Sequence, residues 1–403
     1  MRTGKGAYRG DAGGLFEMLT ASMTGIVAVL LAIVLVLLHL PLALVVGGIA
    51  VLGSAVIHAG QGAGIIGALA AAGEMVLATV ADLSLAELAV LPLFVLLGNV
   101  ALYAGFATRI YDAAAVWLRP VRGGAAMASV LGCAGFAALS GASVACATTM
   151  GRICVPEMLR IGYDPRLAAS SVAVGGTLGA LIPPSVPFIV YGLISDISIA
   201  RLFMAGLLPG LLTLAGMLLV IGWWVAEHPA DAPVAAPNGA SLSGAARAAL
   251  PAMGLFAIIV AGIFTGLLNP VAAAAVCVLL VVVMGLARHR LTKDLLWHAL
   301  RDSMIQSAAI LLIVIAARLF LGFVDLSGLA DGLTAMATGS GGHVILIGAI
   351  VAVCLLLGML LDPLAVLVLT LPFTLPLIHE VGLDPIWFGV IVVKLVEIGL
   401  ITP

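Results

Sequence analysis

The chain has 403 residues, 63% of them hydrophobic and only 9% charged, with a formal charge of −2 at pH 7. Soluble domains carry about 25% charged residues, so the composition excludes a soluble protein and predicts an all-α polytopic membrane protein whose first partner is the lipid bilayer. The near-neutral balance offers no basic surface for nucleic acid.

Residues 1–19 form a polar N-terminal segment carrying Arg2, Lys5 and Arg9. The apolar run from Thr20 to Leu38 has no small-residue cleavage site behind it and, at about 19 residues, is long enough to span a bilayer. It reads as the first transmembrane helix. Further spans are expected at 41–58, 88–107, 169–198, 202–226, 249–267, 270–287 and 303–324, with a last one beginning near 386. Segment 61–86, rich in Gly and Ala but carrying Glu74 and Asp82, reads as an interfacial or arm helix. Residues 228–247, with three prolines, Asn238 and two serines, form a hydrophilic linker. It separates a first membrane half (20–227) from a second (248–403).

Three interruptions break the apolar pattern. Ser140-Gly141-Ala142-Ser143 divides a run at about 124–159, and Asp362-Pro363 divides one at about 343–378. A run of that length with a central turn fits a re-entrant helical hairpin or two tightly joined helices. In 169–198, Pro183-Pro184 removes two N–H donors from a helix and leaves carbonyls that lipid cannot satisfy. Such a break persists where it is buried in protein or lines a water-filled cavity, and it points to a binding site.

The halves are related at one ungapped offset of 220 residues. Gly162-Tyr163-Asp164-Pro165 lands on Gly382-Leu383-Asp384-Pro385, Pro156 on Pro376, Gly179 on Gly399, Pro183 on Pro403, and Ala142 on Asp362. This predicts an internal repeat. Charge predicts that the repeats are inverted. Arg109, Arg119, Arg122, Arg160 and Arg166 flank the first hairpin, whereas Asp325, Asp331, Glu380 and Asp384 flank the second. By the positive-inside rule the first hairpin enters from the cytoplasm and the second from outside, an architecture of secondary transporters. Three crossings counted back from Arg109 place the basic N-terminus outside, unless 61–86 also spans, residues 1–17 escape the rule or the chain initiates at Met18.

Gly175-Gly176-Thr177-Leu178-Gly179-Ala180-Leu181-Ile182-Pro183-Pro184-Ser185 resembles the signature of the large membrane subunit of TRAP (tripartite ATP-independent periplasmic) transporters. Leu91-Pro92-Leu93-Phe94, Gly98-Asn99, Ser140 to Ala145, Pro156-Glu157-Met158 and Pro385 to Pro403 extend the resemblance over essentially everything from Thr20 on. The resemblance implies a DctM-like, Na⁺-driven, elevator-type importer. It also implies two partners, a small four-helix membrane subunit and a periplasmic substrate-binding protein that delivers a small organic anion. A C4-dicarboxylate or sugar acid, and the bacterial inner membrane, are the expected substrate class and location. Two departures stand out. Asn269-Pro270-Val271-Ala272 replaces a common Thr-Glu-Ala run. The family pattern also continues past Ile401-Thr402-Pro403 with a proline, a glycine and a helix, so a chain stopping there is expected to be truncated within its second broken helix and not to transport.

Na⁺ wants several oxygen ligands, which unwound carbonyls and hydroxyls supply. The first repeat offers Ser140, Gly141, Ser143, Gly176, Thr177, Pro183, Pro184 and Ser185; the second offers Asp362, Pro363, Thr402 and Pro403. One ion site per repeat is expected, with the substrate between the hairpin tips and helix N-termini aimed at its carboxylate. Simpler roles compete. Ser140 and Ser143 can bond backbone carbonyls, Asp362 can cap a helix, Lys394 and Glu397 can form a local ion pair, and Arg152 can reach the membrane surface. The seven histidines form no HExxH pattern, and no glycine-rich loop precedes a lysine, so no catalytic residues, transition metal or cofactor are expected. The five cysteines read as packing residues. A stand-alone ion-coupled anion carrier is the alternative function, and a membrane enzyme a distant one.

Overall fold

The computed structural model describes residues 12–234, 241–330, 332 and 342–402. Pro403, and with it the counterpart of Pro183, lies outside them. The described residues are helical apart from their turns, and seven helices are long and apolar enough to cross a membrane. The chain is a polytopic all-α membrane protein whose described residues fall into two compact units.

The first unit contains residues up to Leu83 together with Leu312–Ala352 and Val368–Asp384. Its helices α1 (Ala12–Leu37), α2 (Leu42–Gly60) and α3 (Gly64–Ala81) follow one another through short turns and pack in sequence. Within 61–86, expected to be an interfacial or arm helix, α3 has the length and hydropathy of a span. Within the helix Glu74 is its one charge, and Asp82 falls at the C-cap. Helix α14 (Lys293–Ser327) contributes its second half to this unit. There Arg318 pairs with Asp82 at 3.2 Å, and Ser22 Oγ donates to the Ser327 carbonyl at 3.3 Å. Phe320 stacks on Phe323 and meets Phe373 edge-on, with ring centroids 6.1 and 6.4 Å apart.

The second unit comprises Ser84–Leu311, Val353–Leu367 and Pro385–Pro403. A short α4 (Leu85–Leu88) leads into α5 (Val90–Tyr103), which bends by 64° into α6 (Phe106–Leu118). Helix α6 buries Phe106, Ile110 and Tyr111 and leaves Asp112 and Trp117 exposed, so the amphipathic element of this half is α6. Helices α7 (Gly124–Ser140) and α8 (Ser143–Arg160) are joined across Gly141–Ala142 and pack on one another. Helix α9 (Pro165–Gly176) starts earlier than the expected 169, because Asp164 caps it by accepting from Arg166 N at 2.8 Å and Pro165 needs no N–H partner at the first position. Its last turn tightens into a 3₁₀ segment, Thr177–Ala180, before α10 (Val186–Ser195).

Helix α11 (Ile199–Glu227) is followed by the linker, which is shorter than 228–247. Ser241 caps α12 (Leu242–Phe264) by accepting from Gly244 N, so residues 242–247 belong to a helix. Asn269 caps α13 (Pro270–Ala287), accepting from Ala272 N at 2.8 Å; the Asn-Pro departure thus starts a helix. The remaining helices are α15 (Gly342–Gly358), α16 (Pro363–Glu380) and α17 (Pro385–Ile401). Both bounds of α8 and α16, and the starts of α9 and α17, coincide at the 220-residue offset. One difference is clear. Helix α9 ends at Gly176, whereas α17 runs unbroken through Ile401, so the described residues show a break only in the first of the two.

Candidate functional site

The interruption between α7 and α8 meets the one between α9 and α10. Gly141 ends α7 with φ of +65°, a conformation that costs other residues roughly 1–2 kcal/mol. Its carbonyl accepts from Val186 N at 2.8 Å. A methyl on Gly141 would lie 2.6 Å from the Pro184 carbonyl oxygen, so Pro184 sits directly against the turn. Gly179, in the 3₁₀ segment, presses on the Ala142–Ser143 peptide, where an added methyl would come within 3.0 Å of the Ala142 oxygen. Gly176 is as close to Ala147. The segment from Gly176 to Val186 thus packs against the turn between α7 and α8 and the start of α8.

Several predicted ligands are spent locally. Thr177 Oγ1 donates to the Val174 carbonyl at 2.7 Å. Ser185, fully buried, caps α10 by accepting from Phe188 N at 3.3 Å and donates to the Ala180 carbonyl. Thr402 donates to the Ile398 carbonyl at 2.7 Å. Asp362 caps α16, its Oδ1 accepting from Leu364 N and Ala365 N at 3.0 Å each, which leaves Oδ2 free of hydrogen bonds among the described residues.

A cavity of about 210 Å³ within the second unit gathers the others. Its lining brings Ser140, Ala142 and Ser143 together with Asp362 and Pro363, so parts of both predicted hairpin turns face one space. Three helix N-termini open onto it: Ser143 begins α8, Val186 begins α10 and Pro363 begins α16. Such termini carry unsatisfied N–H groups and about half a positive charge each. Ser185 caps α10 and Asp362 caps α16, whereas Ala142 gives α8 no side-chain cap. Ser140 is buried, and its hydroxyl has no hydrogen-bond partner among the described residues. Gly141, Gly176, Thr177, Pro183, Pro184 and Ser185, expected as ligands, are not part of the lining. Arg152 is exposed and lies outside the lining.

Three polar residues of the lining, Asn99, Thr149 and Gln306, were not among the predicted ligands. Asn99 and Gln306 carried a signal, because amides inside spans expected at 88–107 and 303–324 need partners that lipid does not offer. Asn99 Nδ2 donates to Ser303 Oγ at 3.0 Å and to Gln306 Oε1 at 3.2 Å. The expected Lys394–Glu397 pair does not form: no ion pair joins them among the described residues. Glu397 is 1% exposed, and among the described residues neither carboxylate oxygen makes a hydrogen bond of ordinary geometry; Ser143 of α8 is the hydroxyl facing it. Helical spacing alone placed the two on neighbouring positions, but packing turned Glu397 inward while Lys394 stays half-buried.

Residues 18–403 match the family described as the tripartite ATP-independent periplasmic transporter, DctM component. The chain belongs to this family. It is therefore a component of a transporter and not an enzyme. Among relatives, the C4-dicarboxylate TRAP transporter large permease protein DctM of Pseudomonas aeruginosa is 34% identical over 320 residues, covering 78% of this chain and 74% of that protein. The 2,3-diketo-L-gulonate TRAP transporter large permease protein YiaN of Escherichia coli is 30% identical, covering 79% of this chain and 75% of that protein. The isethionate TRAP transporter permease protein DctMQ of Oleidesulfovibrio alaskensis is 28% identical, covering 85% of this chain and 55% of that protein. The cavity lies wholly within the family match.

Proposed function

We propose that the chain is the large permease subunit of a Na⁺-coupled, binding-protein-dependent importer of small organic anions in the bacterial inner membrane. Its partners in this reading are a small four-helix membrane subunit and a periplasmic substrate-binding protein. The observation that carries the reading is the convergence of three helix N-termini, one of them uncapped, on a single small cavity. Backbone N–H groups and helix dipoles aimed at one space favour a carboxylate there. The same space offers oxygens for a hard cation: Asp362 Oδ2, the unpartnered Ser140 hydroxyl and Ser143. Cation and anion held side by side neutralise one another, which lowers the cost of carrying either through a low-dielectric interior. The family and the names of its relatives support an organic acid, with a C4-dicarboxylate as the first candidate. The matching helix bounds at the 220-residue offset support two inverted repeats, each with a re-entrant pair, moving as an elevator.

The test is uptake of radiolabelled succinate into proteoliposomes holding the full-length protein, the small subunit and the binding protein. Uptake should require both an inward Na⁺ gradient and the binding protein. Uptake that persists without Na⁺ would remove ion coupling. Uptake without the binding protein would establish a stand-alone carrier instead.

A further inference from the structure

We propose that Gln306 recognises the substrate's carboxylate, and that Asn99 is the positioning residue that turns the Gln306 amide nitrogen toward the cavity. The inference rests on reading the cavity as the anion site.

Hydrogen-bond accounting fixes the orientation. Ser303 is 4% exposed, and its hydroxyl spends its one proton on the Ala299 carbonyl at 2.6 Å. Toward Asn99 it can only accept, so Asn99 must face it with nitrogen, as it does at 3.0 Å. The second Asn99 N–H points at Gln306, which must answer with oxygen; the contact is 3.2 Å. Gln306 is then left with both Nε2 protons on the far side of its amide. They make no hydrogen bond among the described residues, and Gln306 is an exposed residue lining the cavity. Gln306 thus has its acceptor occupied by Asn99 and keeps its donors for what enters the cavity.

The lining gives those donors a purpose. Among the described residues it contains no Lys, Arg or His, and Asp362 is its one acidic side chain. An anion entering it must be held by neutral donors: the α8 N-terminus and the Gln306 amide. Hydrogen bonds to a charged acceptor are about twice as strong as neutral ones. An amide pair also binds more weakly than an arginine fork, which suits a site that must release its cargo.

The experiment measures succinate uptake in the complete three-component proteoliposome system and, separately, thermal stabilisation of the purified protein by succinate in Na⁺ buffer. Q306A and Q306E should raise KM about 10- to 100-fold with little change in kcat, as removal of one charge-assisted bond would. Q306E, near-isosteric with the native residue, guards against a folding defect and should be the worse of the two because it repels the anion. N99L should raise KM in the native background and add little in Q306A, the pattern of a residue that acts on the substrate through Gln306. Native-like KM in Q306A and Q306E, or N99L and Q306A effects that simply add, would overturn the assignment while leaving the anion site standing. A native protein that neither transports succinate nor is stabilised by it would overturn the anion reading of the cavity, and this inference with it.

Discussion

Two buried serines at adjoining interruptions, only one of them lining the cavity, separate stability from the expected binding role. Ser185 has both hydrogen-bonding roles filled, capping α10 and bonding to Ala180. Ser140 is buried with its hydroxyl unpartnered, a cost without a structural return. S185A should therefore destabilise the protein by about 0.5–2 kcal/mol through loss of the cap. S140A should leave thermal stability unchanged or slightly raised, yet lower Na⁺-dependent uptake, the pattern expected where a polar group is kept for binding. Melting curves of the two variants beside Na⁺ titrations of uptake would check this; a destabilised S140A with normal Na⁺ affinity would make Ser140 structural. Residue identity alone did not separate the two serines, since both sit beside a turn in apolar sequence.

At the scale of elements, α3 changes the count of crossings. Its 18 residues rise about 27 Å, close to the roughly 30 Å hydrocarbon core of a bilayer. With α3 spanning, four crossings separate the N-terminal residues from Arg109, and both basic ends fall on the cytoplasmic side as the positive-inside rule requires. Single-cysteine variants in a cysteine-less background would test this. A membrane-impermeant thiol reagent should label Gln61→Cys only from the cytoplasmic side and Ser84→Cys only from the periplasmic side. Labelling of both from one side would return α3 to the interface. The glycine and alanine content of 61–86 obscured this reading, because a weakly hydrophobic helix with an acidic residue inside it looks interfacial until its length is fixed by its caps.

For the whole molecule, the 220-residue relation predicts paired behaviour at Gly179 and Gly399. Each glycine lets a backbone approach that no side chain would allow. A methyl on Gly179 would sit 3.0 Å from the Ala142 oxygen, and one on Gly399 2.8 Å from Gly358 Cα. Since backbone cannot swing aside as a long side chain can, G179A and G399A should each cost about 1–3 kcal/mol from overpacking. Both should also cut succinate uptake, because each wedges a helix away from the end of the pair that packs on it. Thermal melts and uptake rates would read both effects; loss at one position with a silent change at the other would argue against equivalent repeats.

Class, most spans and the three interruptions were legible because each is written in local chemistry. Apolar length, proline breaks and arginine placement act within a few residues and need no partner. The site was legible only in part. Ser140, Ser143, Asp362 and Pro363 share the cavity as the turns suggested, whereas Ser185, Thr177 and Thr402 turned out to serve their own helices. Asn99 and Gln306, about two hundred residues apart in sequence, became neighbours only when α5 packed beside α14. A hydroxyl or amide has the same formula whether it caps, bridges or waits for a ligand. Which of these it does is decided by the donors and acceptors that folding brings within 3 Å of it, and that is information the tertiary structure alone contains.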